Sequence, residues 1–165
     1  DALPISKEFE SVLFFKNHGP MSGGSIRHPH SQIIGLRNYD YHEDITVKNM
    51  NGWLLHEDQD IRITLSKHPI IGFFEYNLRY KPDAPVRSIA MRLQQTIRYV
   101  LDSLAKFSQS YNYFFYQLED GYEYIKVIPR YITTPLYVGY KIPQTCNDER
   151  AAKILQNITP YFELK

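Results

Sequence analysis

Between residues 83 and 104 the chain carries one long amphipathic stretch. Val86, Ile89, Ala90, Leu93, Ile97, Val100, Leu101 and Leu104 recur at steps of three and four, which places them on one apolar stripe of an α-helix. Asp83 can cap this helix, and Pro85 suits its first turn, where no intrahelical N–H is required. Such a stripe must be buried against something, and the segments around it read as strands. Residues 12–15, 53–55, 61–65 and 71–76 are short apolar runs, the later ones divided by Glu57-Asp58-Gln59-Asp60 and by His68-Pro69. Residues 111–118 and 122–128 flank Glu119-Asp120-Gly121, a turn signal that predicts a β-hairpin. Residues 34–51 read as a polar loop. Thr145, with Asp148 three residues on, resembles a capping box for a last helix through Leu155. Strands, long helix and hairpin in that order predict an α+β fold: an antiparallel β-sheet with packed helices.

The length of 165 residues allows a single domain with a real core, and 43% hydrophobic with 22% charged residues is a globular composition. A net charge of +1 gives no reason to expect nucleic acid or an anionic membrane surface as partner. The longest apolar run, around residues 69–74, is far too short to span a bilayer as a helix. A single cysteine, Cys146, rules out an internal disulfide framework, and with no signal peptide visible the expected location is cytoplasmic. Asp1 is not a methionine, so the expectation includes a processed product or a piece of something longer.

The chemistry is concentrated in Asn17-His18-Gly19, Gly23-Gly24-Ser25 and His28-Pro29-His30-Ser31-Gln32. A glycine-rich loop offers free backbone N–H groups in an anion-binding concavity. If residues 28–32 are extended, His28, His30 and Gln32 form one polar row beside that loop. An imidazole can attack phosphorus, and a side-chain amide can donate to the charge that develops on the phosphoryl oxygens. Pro29 within this segment predicts an edge or interrupted strand. Read from the residues alone, the two histidines also fit a surface pair on an edge strand or a structural metal site.

On these residues the chain resembles the histidine-triad superfamily, in its hexose-1-phosphate (galactose-1-phosphate) uridylyltransferase and nucleotide-sugar phosphorylase branch. That branch reads Asn-x-Gly, a small-residue loop ending in Ser, two residues, then His-x-His-x-Gln, and residues 13–36 carry the match. The hydrolases of the superfamily have a histidine at the third polar position. Gln32 cannot titrate, so a covalent nucleotidyl-histidine would be held without a built-in base to activate water, which favours transfer. The resemblance implies a sheet-and-helix repeat used twice. Residues 53–130 would be the whole second repeat, 9–36 the back half of the first, and 131–165 a closing segment, within one domain spanning 1–165. Ile128-Pro129-Arg130, Val138-Gly139-Tyr140 and Glu149-Arg150-Ala151-Ala152 resemble that closing segment. The front half of the first repeat, which in relatives supplies a zinc-binding cysteine pair and part of the base and sugar pocket, is absent, so this chain is expected to be catalytically incomplete alone. Tyr122-Glu123-Tyr124 stands where relatives often carry a second His-x-His, so their second metal site does not carry over. His28 ligates zinc in several relatives, but with one distant cysteine zinc is expected only if residues outside this chain complete the site.

The resemblance thus implies a nucleotidyltransferase. His30 would be the nucleophile, its tautomer set by a backbone carbonyl. Gln32, Ser25 and the Gly23-Gly24 backbone would hold phosphoryl oxygens, Asn17 would brace the loop or reach substrate, and His28 would position the loop. The substrates would be a nucleotide sugar or dinucleotide and a sugar phosphate or phosphate acceptor. The alternatives are a hydrolase of nucleotides on the same fold and a non-catalytic nucleotide-binding module. A homodimer is expected, because the sheet would otherwise end in an unprotected edge. The remaining signals read as structural: fourteen tyrosines that alternate in strands, as at Tyr111, Tyr113, Tyr122 and Tyr124, and a loop histidine, His18. His42, His56 and His68 show no partner spacing. Cys146, at a helix start, lacks the histidine and orienting group that a catalytic thiol needs.

Overall fold

Ile61, Ile63 and Leu65 alternate with Arg62, Thr64 and Ser66, and Tyr76, Leu78 and Tyr80 alternate with Asn77 and Arg79. Each of these strands therefore turns apolar side chains to one face and polar ones to the other. In the computed structural model, which describes residues 8–24, 26, 28–71, 74–104, 109–131, 135–140, 142 and 147–163, such strands build a seven-stranded antiparallel sheet. The elements are β1 (Ser11–His18), β2 (Gln32–Leu36), α1 (Val47–Met50), β3 (Gly52–Glu57), β4 (Ile61–Ser66), β5 (Tyr76–Tyr80), α2 (Val86–Leu104), β6 (Tyr111–Gln117), β7 (Glu123–Pro129), α3 (Pro135–Tyr140) and α4 (Asp148–Glu163). The strand order is β2-β1-β6-β7-β5-β4-β3. Helices α2 and α4 pack on the apolar face, where Ile89, Leu93, Ile97, Ile154, Ile158 and Phe162 meet Ile63, Leu65, Leu78, Ile125 and Val127.

β1 and β6 pair antiparallel with Phe14 opposite Phe115 and Phe15 opposite Phe114. These pairs set the register at the junction between the hairpins β1–β2 and β6–β7, where β1 and β6 are the second and third strands of the sheet order. Their rings stack across the junction, at centroid separations of 4.4 Å and 5.8 Å. The outer side of β7 carries β5, β4 and β3, whereas β2 has no further partner among the described residues. Asn17, Phe15 and Gln32 belong, with Asn112, Phe114, Lys126, Asn77 and Thr64, to the face opposite the helices, because directly paired residues share a face.

A buried ion pair lies on that opposite face. The Lys126 Nζ is 3.0 Å from Glu75 Oε2, both side chains are fully buried, and Nζ also donates to the Asn49 carbonyl at 3.0 Å. Glu75 in turn accepts from the backbone N–H groups of Ile70 and Ile71, at 2.8 Å and 2.7 Å. Removing one partner would leave a charge buried without its counter-ion. Lys126→Ala is therefore expected to cost about 3–5 kcal/mol, lowering the melting temperature by roughly 10 °C. Thermal unfolding followed by circular dichroism checks this, and an unchanged midpoint would show that water reaches Glu75.

Several segments depart from the sequence reading. Residues 28–31 are not strand: β2 begins at Gln32, because Pro29 has no N–H for a ladder and the His28 carbonyl accepts from a side chain instead. The segment 34–51 is not all loop. Residues 34–36 complete β2, a 3₁₀ turn spans Tyr41–Glu43, and Thr46 and Asn49 cap α1 reciprocally. Strand β5 starts at Tyr76, not at residue 71. Alternation at Tyr76, Leu78 and Tyr80 sets it, while Ile70 and Ile71 are tied to Glu75. Thr145 lies outside the described residues; Asn147 caps α4, its Oδ1 accepting from the Arg150 N–H at 2.9 Å. Helix α4 continues past Leu155 and through Pro160, held by buried Ile158 and Phe162. No helix among the described residues is long and apolar enough to cross a membrane.

Candidate active site

At the end of β1 the chain enters a tight loop that the start of β6 holds in place. Gly19 has φ +80° and sits so close to Ser110 that a Cβ there would lie 2.4 Å from the Ser110 Oγ, so both its dihedral and its surroundings require glycine. The 3₁₀ turn Pro20–Ser22 follows, closed by Gly23 in the left-handed region at φ +81°. The Ser110 Oγ accepts from the Met21 N–H at 3.1 Å. Buried Ser22 donates from its Oγ to the Gly19 carbonyl at 2.7 Å, and the same Oγ accepts from the Gly24 N–H at 3.4 Å.

Asn112 ties this loop to the sheet. It lies directly opposite Asn17 in the β1–β6 ladder and is buried. Its Nδ2 donates to the Asn17 Oδ1 at 2.6 Å and to the Ser22 carbonyl at 3.0 Å. Its Oδ1 accepts from the Arg130 Nη1 at 2.8 Å. The Arg130 backbone N–H is itself bonded to the Ser110 carbonyl at 2.8 Å. The sequence reading did not assign Ser22, Ser110 or Asn112 to the site, and used Arg130 only as part of a closing segment. The available signal was Asn112 between Tyr111 and Tyr113: an asparagine inside an otherwise aromatic strand must find hydrogen-bond partners when buried.

The histidine segment lies beside this loop. The carbonyl expected to set the His30 tautomer is that of His28, 2.9 Å from His30 Nδ1. A carbonyl can only accept, so Nδ1 carries the proton and the lone pair is on Nε2. The Gln32 Nε2 donates to His30 Nε2 at 3.3 Å, leaving its amide beside that lone pair. The His28 and His30 rings are tilted against each other, with centroids 5.5 Å apart.

A cavity of about 440 Å³ opens between loop and histidines, lined by residues that include Asn17, His18, Ser22, Gly24 and His28. Of the sequence-predicted residues, Asn17, Gly24 and His28 share this wall, while His30 and Gln32 form a hydrogen-bonded pair next to it rather than on it. Gly23 shapes the turn without lining the cavity, and Ser25 lies outside the described residues. His18, read from the sequence as a loop histidine that is either solvated or in reach of substrate, lines the cavity and stacks on Tyr111 with centroids 4.7 Å apart. Burial, and then the neighbouring Tyr113, pushes the Tyr111 phenol up to about 12, so the ring beneath His18 is neutral at physiological pH.

The other histidines correct the sequence reading, since two of them have partners. His42 bonds Asp40 through Nδ1 at 2.5 Å and the Gln117 carbonyl through Nε2 at 2.8 Å, and His56 Nε2 is 3.2 Å from Asp58. These contacts tie loops to the sheet, far from the glycine loop in the ladder. Among the described residues no group of three His, Cys, Asp or Glu side chains is arranged to hold a metal ion, at His28 or elsewhere. Cys146 lies outside them.

Comparison with known proteins places two family matches end to end along the chain. Residues 2–39 match the N-terminal domain, and residues 42–162 the C-terminal domain, of a family described as a domain of unknown function, DUF4931. No match was found among curated proteins. A crystal structure of a DUF4931 family protein from Bacillus cereus ATCC 10987 is similar, with 39% sequence identity and a TM-score of 0.82, over 98% of this chain and 73% of that one. With both family matches lying along one continuous sheet, and with this identity over nearly its whole length, the chain belongs to the DUF4931 family.

Proposed function

We propose that the protein is a nucleotidyltransferase of the histidine-triad type, in which His30 carries a nucleoside monophosphate between two phosphate-bearing substrates. The family comparisons assign no activity, so the reading rests on the site. The observation that carries it is the three-residue arrangement in which the His28 carbonyl holds the Nδ1 proton of His30 and the Gln32 amide borders its Nε2. The Nε2 lone pair attacks the α-phosphorus of a nucleoside diphosphate sugar or dinucleotide. The P–O bond to the β-phosphate breaks, its electron pair leaves with the sugar phosphate or nucleotide, and a P–Nε2 bond remains. A phosphate oxygen of the acceptor then displaces Nε2 and frees the histidine. During attack the Gln32 amide passes from the lone pair to a phosphoryl oxygen, while the loop N–H groups and Asn17 face the other oxygens.

This reading predicts ping-pong exchange. With nucleotide sugar and isotopically labelled sugar phosphate as the only reactants, label is expected to enter the nucleotide sugar, because the first half-reaction is reversible. Formation of free nucleoside monophosphate without acceptor would replace transfer by hydrolysis. Binding of nucleotide sugar with neither product would leave a nucleotide-binding module.

The reading includes self-association. β2 is a sheet edge with Ile33 53% and Ile34 41% exposed, and a second copy of this strand, paired antiparallel about a two-fold axis, covers both. Light scattering is expected to give a dimer, and Ile33→Lys with Ile34→Lys a monomer. A native monomer at high concentration would refute the pairing.

A further inference from the structure

We propose that Arg130 and Asn112 are positioning residues that turn the Asn17 amide so that its NH₂ group, and not its carbonyl, is presented to the cavity, making that wall a receptor for phosphate oxygens. The inference rests on the proposed function for its role in turnover, but the direction of the amide follows from the hydrogen-bond chemistry alone.

An arginine side chain has only donors, so the Asn112 atom that meets Arg130 Nη1 at 2.8 Å must be its oxygen. The opposite end of that amide is then Nδ2. Its two hydrogens are both used, on the Ser22 carbonyl and on Asn17. A group that can only donate needs an acceptor, so Asn17 turns its Oδ1 inward. Its Nδ2 carries two hydrogens, has no hydrogen-bond partner among the described residues, and belongs to a residue that lines the cavity. Polarity thus runs in one direction from Arg130 through Asn112 to Asn17.

The relay reaches the loop as well. Asn112 holds the Ser22 carbonyl inside the turn, so the loop does not aim that oxygen at the cavity. Gly24 passes over Asn17, where a Cβ would lie 3.0 Å from the Asn17 Cβ, a contact tight enough that a side chain there would push the loop or Asn17 aside. A bound phosphate group would therefore meet amide hydrogens from Asn17 rather than carbonyl oxygens. Without the Arg130 donor, the Asn112 amide can rotate. Asn17 would then present Oδ1 in part of the population, and an oxygen lone pair repels an anion.

The test uses inorganic pyrophosphate as the probe, titrated into the native chain, Arg130→Met and Arg130→Gln. Calorimetry gives the affinity, and ¹H–¹⁵N spectra of the side-chain amides give the orientation. In the native protein the Asn17 NH₂ signals are expected to shift on saturation. Arg130→Met removes the donor and should weaken binding about tenfold. Arg130→Gln has no charge but keeps an N–H donor for Asn112, so it should recover most of the native affinity. A Gln variant as weak as the Met variant would assign the effect to the arginine charge and overturn the relay. Unshifted Asn17 signals in the native protein would overturn it too, whatever the variants do.

Adduct formation on His30 is measured in the same three proteins. Native protein that binds pyrophosphate through Asn17 yet forms no adduct removes the transferase reading and leaves the relay standing. Adduct formation at the native rate in Arg130→Met, with Asn17 signals unshifted in the native chain, removes the relay and leaves the transferase reading.

Discussion

Mixed with a panel of nucleotide sugars and measured intact, the native chain is expected to gain the mass of one nucleoside monophosphate, and His30→Ala to gain none. The effect is all or nothing, because no other imidazole among the described residues combines a carbonyl-held Nδ1 proton with an amide at Nε2. Phosphorus on an imidazole nitrogen is labile to acid and stable to base, so brief acidification should remove the increment. His28→Ala is a useful contrast. His28 orients His30 through its backbone carbonyl, which alanine retains, so this variant should still form the adduct, more slowly because the His28 ring is part of the cavity wall. An equal increment in native protein and in His30→Ala would place the chemistry on another residue.

Gln32→His should convert transfer into hydrolysis. The amide at position 32 reaches His30 Nε2 but cannot take a proton, so a water molecule beside the adduct has no base to activate it. An imidazole there titrates near neutrality, and a general base of this kind typically contributes about 10²- to 10⁴-fold. Breakdown of the nucleotidyl intermediate, with acceptor omitted, is to be followed from pH 5 to 9 in both proteins. The histidine is a base only when neutral, so the rate in the variant should rise as pH increases through its titration and then level off. Native protein should stay slow throughout. If the native adduct hydrolyses as fast as it transfers, the glutamine argument fails and the hydrolase reading takes its place.

The long helix was legible because Ile89, Leu93 and Ile97 follow one period over several turns, and that signal does not depend on the partner surface. Strands β4, β6 and β7 were legible for a similar reason, with apolar runs bounded by Asp60, Gly121 and other turn residues. The histidine segment was harder to read. Its residue types pointed to phosphate chemistry, but residues 28–31 form no strand. Pro29 cannot donate to a neighbouring strand, and the His28 carbonyl is taken by the His30 ring. The outcome keeps His30 oriented by a contact between residues two apart in the chain, which is local enough to be encoded by the segment itself.

Asn112, Ser110 and Arg130 were not legible as site residues, and the reason is distance along the chain. The Asn112–Asn17 bond joins residues 95 positions apart, and nothing in either local sequence reports the register that brings them face to face. The same holds for the Lys126–Glu75 pair, since a lysine and a glutamate in sequence look like ordinary surface residues until β5 and β7 pair and the polar face is covered. By itself, then, the sequence determined the long helix, strands such as β4, β6 and β7 and their apolar faces, and it singled out the residues proposed for phosphate chemistry, all of which depend on short-range periodicity and side-chain type. Only the tertiary structure decided which strand lies at the edge, which amide faces the cavity and which charges are buried, because those follow from strand order and register, and register is a property of the assembled sheet.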